Sequence, residues 1–212
     1  MSKVRTVSQK RTTKKPIMRH NRTLDFGHWT LDIGHWTLDC EDRPKLMKIK
    51  VGIFGGSGYG GSELLRILLF HPQIDLAFVT ANEHAGRPVG EVHRNLFGLT
   101  DLVFVNAPED KAAIENLDCV FLALPHGQAL ELVPSLPSGM RVIDLSGDFR
   151  LSDSDSFERH YGLKHTAMET QAHFVYGLTE TNREKIKQSQ FIANPGCFAT
   201  ATLLGLSPLV AN

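Results

Sequence analysis

The sequence predicts an α/β fold in which helices wind both faces of a parallel sheet. Three observations predict it. Short β-rich runs alternate with helical stretches. The run LDCVFLALP, residues 117–125, is continuously apolar, as a strand buried on both faces is. The first β-rich run is followed at once by glycines and then by a helical pattern. A chain of 212 residues holds one sizeable domain, or one domain and part of a second.

The elements follow in order from Met47. Ile49, Val51, Ile53 and Phe54 form the first strand, and Leu64, Leu65, Ile67, Leu68 and Leu69 give the apolar face of a helix that stops at His71-Pro72. Between them Gly55, Gly58 and Gly61 fit GxxGxxG, while Gly56, Gly58 and Gly61 fit GxGxxG. Either spacing turns the chain tightly out of the strand, brings bare backbone close to a pyrophosphate and aims a helix N-terminus at it. This is the start of a Rossmann-type doubly wound sheet. The next strands are read at 74–82, 101–105, 117–125, 141–147 and 190–193, with a helix at HGQALELVPSL. Ligands of such sheets bind beyond the carboxyl ends of the strands. That puts Pro125 and the 124–127 loop, and the Ser146-Gly147-Asp148 loop, on the rim where the glycine turn opens.

The second strand ends in Thr80-Ala81-Asn82, where an NAD-specific fold often carries an acid for the ribose hydroxyls. Small polar residues there, with Arg87 following, favour a 2′-phosphate, so Thr80 and Arg87 are read as cofactor contacts and the cofactor as NADP. The alternative for Arg87 is a solvated loop residue.

In ANPGCFATATLLGL a short strand turns on Asn194-Pro195-Gly196 and places Cys197 in the first turn of a helix. Unpaired amides and the helix dipole favour a thiolate there and can steady an oxyanion on a carbonyl that the sulfur attacks. Thiolate beside a hydride donor suggests a thioester reduced to an aldehyde. Cys119, inside an apolar run, reads as a small core residue. Cys40, Cys119 and Cys197 show no zinc spacing, no metal site is read, and so sparse a count without an apolar signal segment suits a reducing cytoplasm.

Residues 1–46 differ from the rest. They hold ten Lys and Arg against five acids, and Leu-Asp-(Phe/Ile)-Gly-His-Trp-Thr occurs in them twice at a seven-residue step. A transit peptide, a small interaction module and a start codon set upstream of a true start at Met47 are the alternatives, the last favoured. Residues 47–212 are mildly acidic, which argues against a nucleic-acid surface, and no apolar run approaches the length of a membrane span.

The blocks GIFGGSGYGGSELLRIL, AGRPVGEVH, FLALPHG, VIDLSGDFRL, FVYGLTE and ANPGCFATA occur in one order from Met47 to Asn212. In this the chain resembles the N-acetyl-γ-glutamyl-phosphate reductases of arginine synthesis and their aspartate-semialdehyde dehydrogenase relatives. The resemblance implies that a cysteine, here Cys197, displaces phosphate from an acyl phosphate and that NADPH reduces the thioester to a semialdehyde. It places Gly55, Ser57, Gly58, Tyr59 and Gly61 in the phosphate-binding turn. Ser146, Asp148 and Arg150, with Asn194 of the cysteine block, fall near the substrate; the alternative for the first three is a structural turn with a local Asp–Arg pair. An α-aminoadipyl phosphate reductase of lysine synthesis fits the same blocks, as does a catalytically inactive nucleotide-binding remnant. A non-redox enzyme in which Cys197 only packs is a third alternative.

The resemblance also implies a continuation: the rest of an α+β substrate and dimerisation domain, a histidine acting as acid and base, and a homo-oligomer. Residues 47–193 are read as the nucleotide domain and 194–212 as the start of the catalytic one. None of His126, His160, His165 and His173 matches the catalytic histidine block, and all four are read as loop or surface residues. A chain ending at Asn212 is expected to lose most activity, on the order of 10²–10⁴, and to leave the apolar side of the cysteine helix exposed.

Overall fold

The computed structural model describes residues 47–108 and 111–210. The readings made on residues 1–46, Cys40 among them, lie outside these. Along the chain run β1 (Ile49–Phe54), α1 (Tyr59–Leu68), β2 (Ile74–Val79), α2 (Val89–Val92), α3 (Lys111–Glu115), β3 (Cys119–Leu122) and α4 (Gln128–Leu132). They are followed by β4 (Arg141–Asp144), α5 (Ser154–Tyr161), α6 (Met168–Gln171), β5 (Phe174–Tyr176), α7 (Thr179–Gln188), β6 (Phe191–Ala193) and α8 (Cys197–Val210).

The six strands form one sheet in the order β2-β1-β3-β4-β6-β5, every pairing parallel. Side chains alternate across a strand, so each strand feeds two cores. Val51 and Ile53 of β1 and Cys119 of β3 join Leu65 and Leu68 of α1 on one face. Phe54, Val120, Leu122 and Val142 join Leu130 of α4 and Phe157 of α5 on the other. This double burial is why β3 reads as an unbroken apolar run. On α1, Leu65 and Leu68 are buried, whereas Ile67 turns to solvent.

α5 shows its boundaries in its sequence. Asp153 caps it by accepting from the Ser156 amide at 2.8 Å, and Gly162 ends it in the left-handed region at φ 69°.

Residues 101–105 correct one expectation: they are not a sheet strand. Val105 bridges Thr80 in parallel and Val103 bridges Pro88 antiparallel. The segment divides its backbone between two partners, and Pro88 has no amide with which to extend a ladder. Phe104 still anchors it, fully buried.

Candidate functional site

The chain leaves β1 toward β2 on one side and reaches β3 on the other, so the crevice between their carboxyl ends is the topological switch point of the sheet. The glycine turn fills it. Gly55 adopts φ +82°, and a Cβ there would lie 2.4 Å from the Ala123 carbonyl oxygen beyond β3. At Gly61 a Cβ would lie 2.4 Å from the Gly56 carbonyl oxygen, so α1 packs directly on the turn. Gly58, by contrast, faces open space and caps α1 with no side chain bonded to it. No acid stands in the first turn of α1, and Tyr59, its first residue, is 98% exposed. Ser57 is half-buried. Free amides, open space above Gly58 and an approach without negative charge fit a dinucleotide pyrophosphate.

Thr80 and Arg87 stand differently from one another. Thr80 is 3% exposed; its Oγ1 accepts from the Gly55 amide at 3.1 Å and its carbonyl from the Gly56 amide at 2.7 Å. The hydroxyl thus serves the turn itself. Arg87 is exposed on the loop after β2, with Nη1 3.4 Å from His84 Nδ1.

Beyond β3, Pro125 and His126 are exposed on the rim. Asp148 is fully buried: its carboxylate accepts from the Gly127 amide at 2.9 Å and the Ala129 amide at 3.1 Å, which caps α4 from outside the helix. His126 Nδ1 accepts from the Gly147 amide at 2.9 Å. The 124–127 and 146–148 loops are thereby tied into one ledge. His165, read as a loop or surface residue, lies in a loop but is half-buried between Phe149 and Phe157, with Nε2 2.9 Å from the Asp148 carbonyl. Burial holds its pKa below the usual histidine range. His160 and His173 are exposed, as expected.

Asp144 closes β4 beneath this ledge. Its carboxylate accepts from the Ser146 amide at 2.9 Å and from Ser146 Oγ at 2.8 Å. Burial, the larger cause, and the nearby Asp148 push its pKa up to about 6 against these hydrogen bonds. Ser146 is itself buried at 3% exposure, its hydroxyl accepting in turn from the Asp148 amide at 3.1 Å.

The cysteine turn leaves β6 next to this network. The Asn194 amide donates to the Asp144 carbonyl at 2.7 Å. Arg150 then bridges two loops: Nε donates to the Asn194 carbonyl and Nη2 to the Leu145 carbonyl, both at 2.8 Å. A Cβ on Gly196 would stand 3.1 Å from Arg150 Nη1, so glycine leaves the guanidinium room under the turn. The Gly196 carbonyl accepts from the Thr200 amide and hydroxyl, and α8 starts at Cys197 with no acid in its first turn. Cys197 is exposed and Cys119 buried. Burial pushes the Cys119 thiol up to about 11.

The residues read from sequence therefore divide. Gly58, Tyr59, Pro125 and Cys197 present themselves on the carboxyl rim. Thr80, Ser146 and Asp148 are buried beneath it, and Arg150 and Asn194 join the loops that form it. Because the strands are parallel, the glycine turn after β1 and Cys197 after β6 share one edge. They stand three strand spacings apart, about 14 Å. Sequence reasoning missed His93, which bonds the glycine turn, and the buried acid Asp144; each acts through partners that local pattern does not reveal.

Residues 50–189 match the family described as semialdehyde dehydrogenase, NAD binding domain. Among curated relatives, the N-acetyl-gamma-glutamyl-phosphate reductase of Acinetobacter baumannii is 49% identical over 165 residues, covering 77% of this chain and 47% of that protein. The protein of the same name from Bordetella pertussis is 49% identical over 77% of this chain and 46% of its own, and that of Clostridium novyi 44% identical over 76% and 47%. The chain spans about half the length of these relatives. Among solved structures, aspartate semialdehyde dehydrogenase with NADP from Candida albicans superposes with a TM-score of 0.52 at 16% identity, over 77% of this chain and 47% of that one. At that identity the likeness is one of fold.

Proposed function

Because this chain belongs to the family of semialdehyde dehydrogenase NAD-binding domains, we propose that it carries the dinucleotide site and the nucleophile of an NADPH-dependent N-acetyl-γ-glutamyl-phosphate reductase. The single observation that carries the reading is the exposed Cys197 at the head of α8, on the same sheet edge as the glycine turn. Cys197 attacks the acyl carbonyl; a C–S bond forms, the bond to the phosphate oxygen breaks, and inorganic phosphate leaves. The free amides of the first turn of α8 stabilise the oxyanion of that step. When bound, the dinucleotide supplies the hydride that reduces the acyl carbon to the aldehyde, and the C–S bond breaks to return the thiolate.

Gly55, Ser57, Gly58, Tyr59 and Gly61 form the pyrophosphate cradle, with Thr80 fixing its first amide and Pro125 lining the rim opposite. Arg87 selects the 2′-phosphate. Ser146, Asp148, Arg150 and Asn194 hold the ledge and the turn against which the substrate lies. Residues 194–212 begin the catalytic part. We place the protein in the cytoplasm, acting within a homo-oligomer on a small acyl phosphate, with no nucleic-acid or membrane partner.

The test is intact and peptide mass spectrometry after exposure to N-acetylglutamyl phosphate, with α-aminoadipyl phosphate in parallel, and titration with NADPH and NADH. The expected outcome is one acyl adduct, on Cys197, from the glutamyl compound, and tighter binding of NADPH. An inert Cys197 overturns the reductase reading, and tighter NADH binding overturns the cofactor assignment. The alternative reading, an inactive nucleotide-binding remnant, keeps the glycine turn and lacks the reduction. An adduct that forms without any NADPH oxidation selects it.

A further inference from the structure

The block AGRPVGEVH matches the family, yet nothing in the proposed chemistry uses its final residue. The structure gives His93 a partner. It is 8% exposed, and its Nε2 lies 2.8 Å from the carbonyl oxygen of Gly56, 37 residues earlier in the chain. Its ring meets the buried Phe104 edge-on at 5.8 Å. Two residues on, Asn95 Nδ2 and Ser62 Oγ of α1 lie 3.4 Å apart. The 93–95 segment thus straps both the turn and the helix that follows it.

The bond falls on the peptide that decides what the turn offers. The Gly56 amide donates downward to the Thr80 carbonyl, and α1 closes over Gly56 through Gly61. In a trans peptide the Gly56 carbonyl and the Ser57 N–H point in opposite directions. Fixing the carbonyl toward His93 holds the Ser57 N–H away from it. If that peptide turned over, a carbonyl oxygen would replace an N–H at the mouth of the turn and would repel a phosphate. Glycine at 56 lowers the barrier to such a flip, because no side chain resists it.

We propose that His93 is a positioning residue for the dinucleotide, holding the Gly56–Ser57 peptide so that its N–H faces the pyrophosphate. Nε2 is then the donor and the ring carries its proton there. The inference rests on the reading of the glycine turn as the nucleotide site and adds to it a residue outside the turn.

Isothermal titration of the full chain with NADPH tests it in three variants. His93→Phe keeps a ring against Phe104 and removes the donor; His93→Gln keeps an N–H at about the reach of Nε2; His93→Asn carries one at the reach of Nδ1 only. The Kd is expected to rise about tenfold in the Phe and Asn variants and to stay within about threefold of the parent in the Gln variant. The alkylation rate of Cys197 should be unchanged in all three. A Phe variant that binds like the parent, or a Gln variant that loses as much as Asn, overturns the proposal. Should the Phe variant fail to fold, the Gln and Asn pair decides alone. A parent chain that binds neither NADPH nor NADH overturns the nucleotide reading itself, and this inference with it.

Discussion

The first part of the glycine turn after β1, Gly55 and Gly56, is closely held, while Gly58 faces open space. Thr80 binds it from below, Gly61 of α1 closes on it, Ala123 presses against Gly55, and the buried His93 takes the Gly56 carbonyl. The cysteine turn after β6 is held at its base, where the Asp144 carbonyl and Arg150 take Asn194 from the β4 side and Gly177 packs against Asn194 from the β5 side, and Cys197 beyond it is exposed. Both turns set glycine before the first turn of a helix. The difference teaches what each task requires. A phosphate cradle works through backbone amides, whose directions must be fixed, so the fold closes around it. A nucleophile works through its side chain, so the restraint falls on the peptide that aims it.

The sharpest way to break this contrast is to add a methyl group to the closed turn. Gly61→Ala sets a Cβ 2.4 Å from the Gly56 carbonyl oxygen, backbone that cannot move aside. The expected cost is about 3 kcal/mol of stability, together with loss of NADPH binding. Urea unfolding and calorimetry measure the two. The same substitution at Gly58, where nothing lies within 4 Å, should leave stability within about 1 kcal/mol.

A second prediction concerns the acid beneath the open turn. The pKa of Asp144 is raised from 3.8 to about 6 in the fold. The native state therefore holds this proton more tightly than the unfolded chain does, and stability from this group falls as pH rises from about 4 to about 6. The loss is on the order of 2–3 kcal/mol. Asp144→Asn should remove this decline, so the difference in urea midpoint between variant and parent grows across that window and is flat above it. A constant difference from pH 4 to 7 would show that folding does not raise the pKa of Asp144.

The smallest effect sharpens the contrast rather than breaking it. Arg150→Lys replaces a planar fork bridging two carbonyls with a single ammonium that cannot span both. Iodoacetamide labelling of Cys197 is expected to slow about fivefold, with NADPH affinity unchanged. Equal losses in labelling and in binding would mean that the two turns are not independent.

How much of this was legible in the sequence follows from distance along the chain. The glycine turn, its strand and its helix are contiguous, and their pattern is local. The placement of Cys197 at the head of α8 was legible for the same reason. The interiors of the loops were not. Asp148 reads as a substrate contact until it is seen capping α4 across about 20 residues of chain. Arg150 reads as a residue near the substrate, or as half of a local Asp–Arg pair, until its carbonyl acceptor at Asn194 is found 44 residues on. His93 has no local signature at all. Residues 101–105 carry a strand's composition, but composition does not tell whether a continuous partner edge exists.

The order of strands in the sheet departs from their order in the chain at β1, which lies between β2 and β3, and again at β6, which lies between β4 and β5. Phe174–Tyr176 pair with 191–193, and among the described residues with no other strand. During synthesis these three residues must therefore wait for their neighbour while the intervening stretch is made. At about 5–20 residues per second the wait is on the order of one to three seconds. A ribosome that pauses between the two strands would display an apolar ribbon with an open edge, the form in which nascent chains adhere to one another. β6 is thus inserted between β4 and the waiting β5, and translation speed over that short interval sets how long this edge stays open.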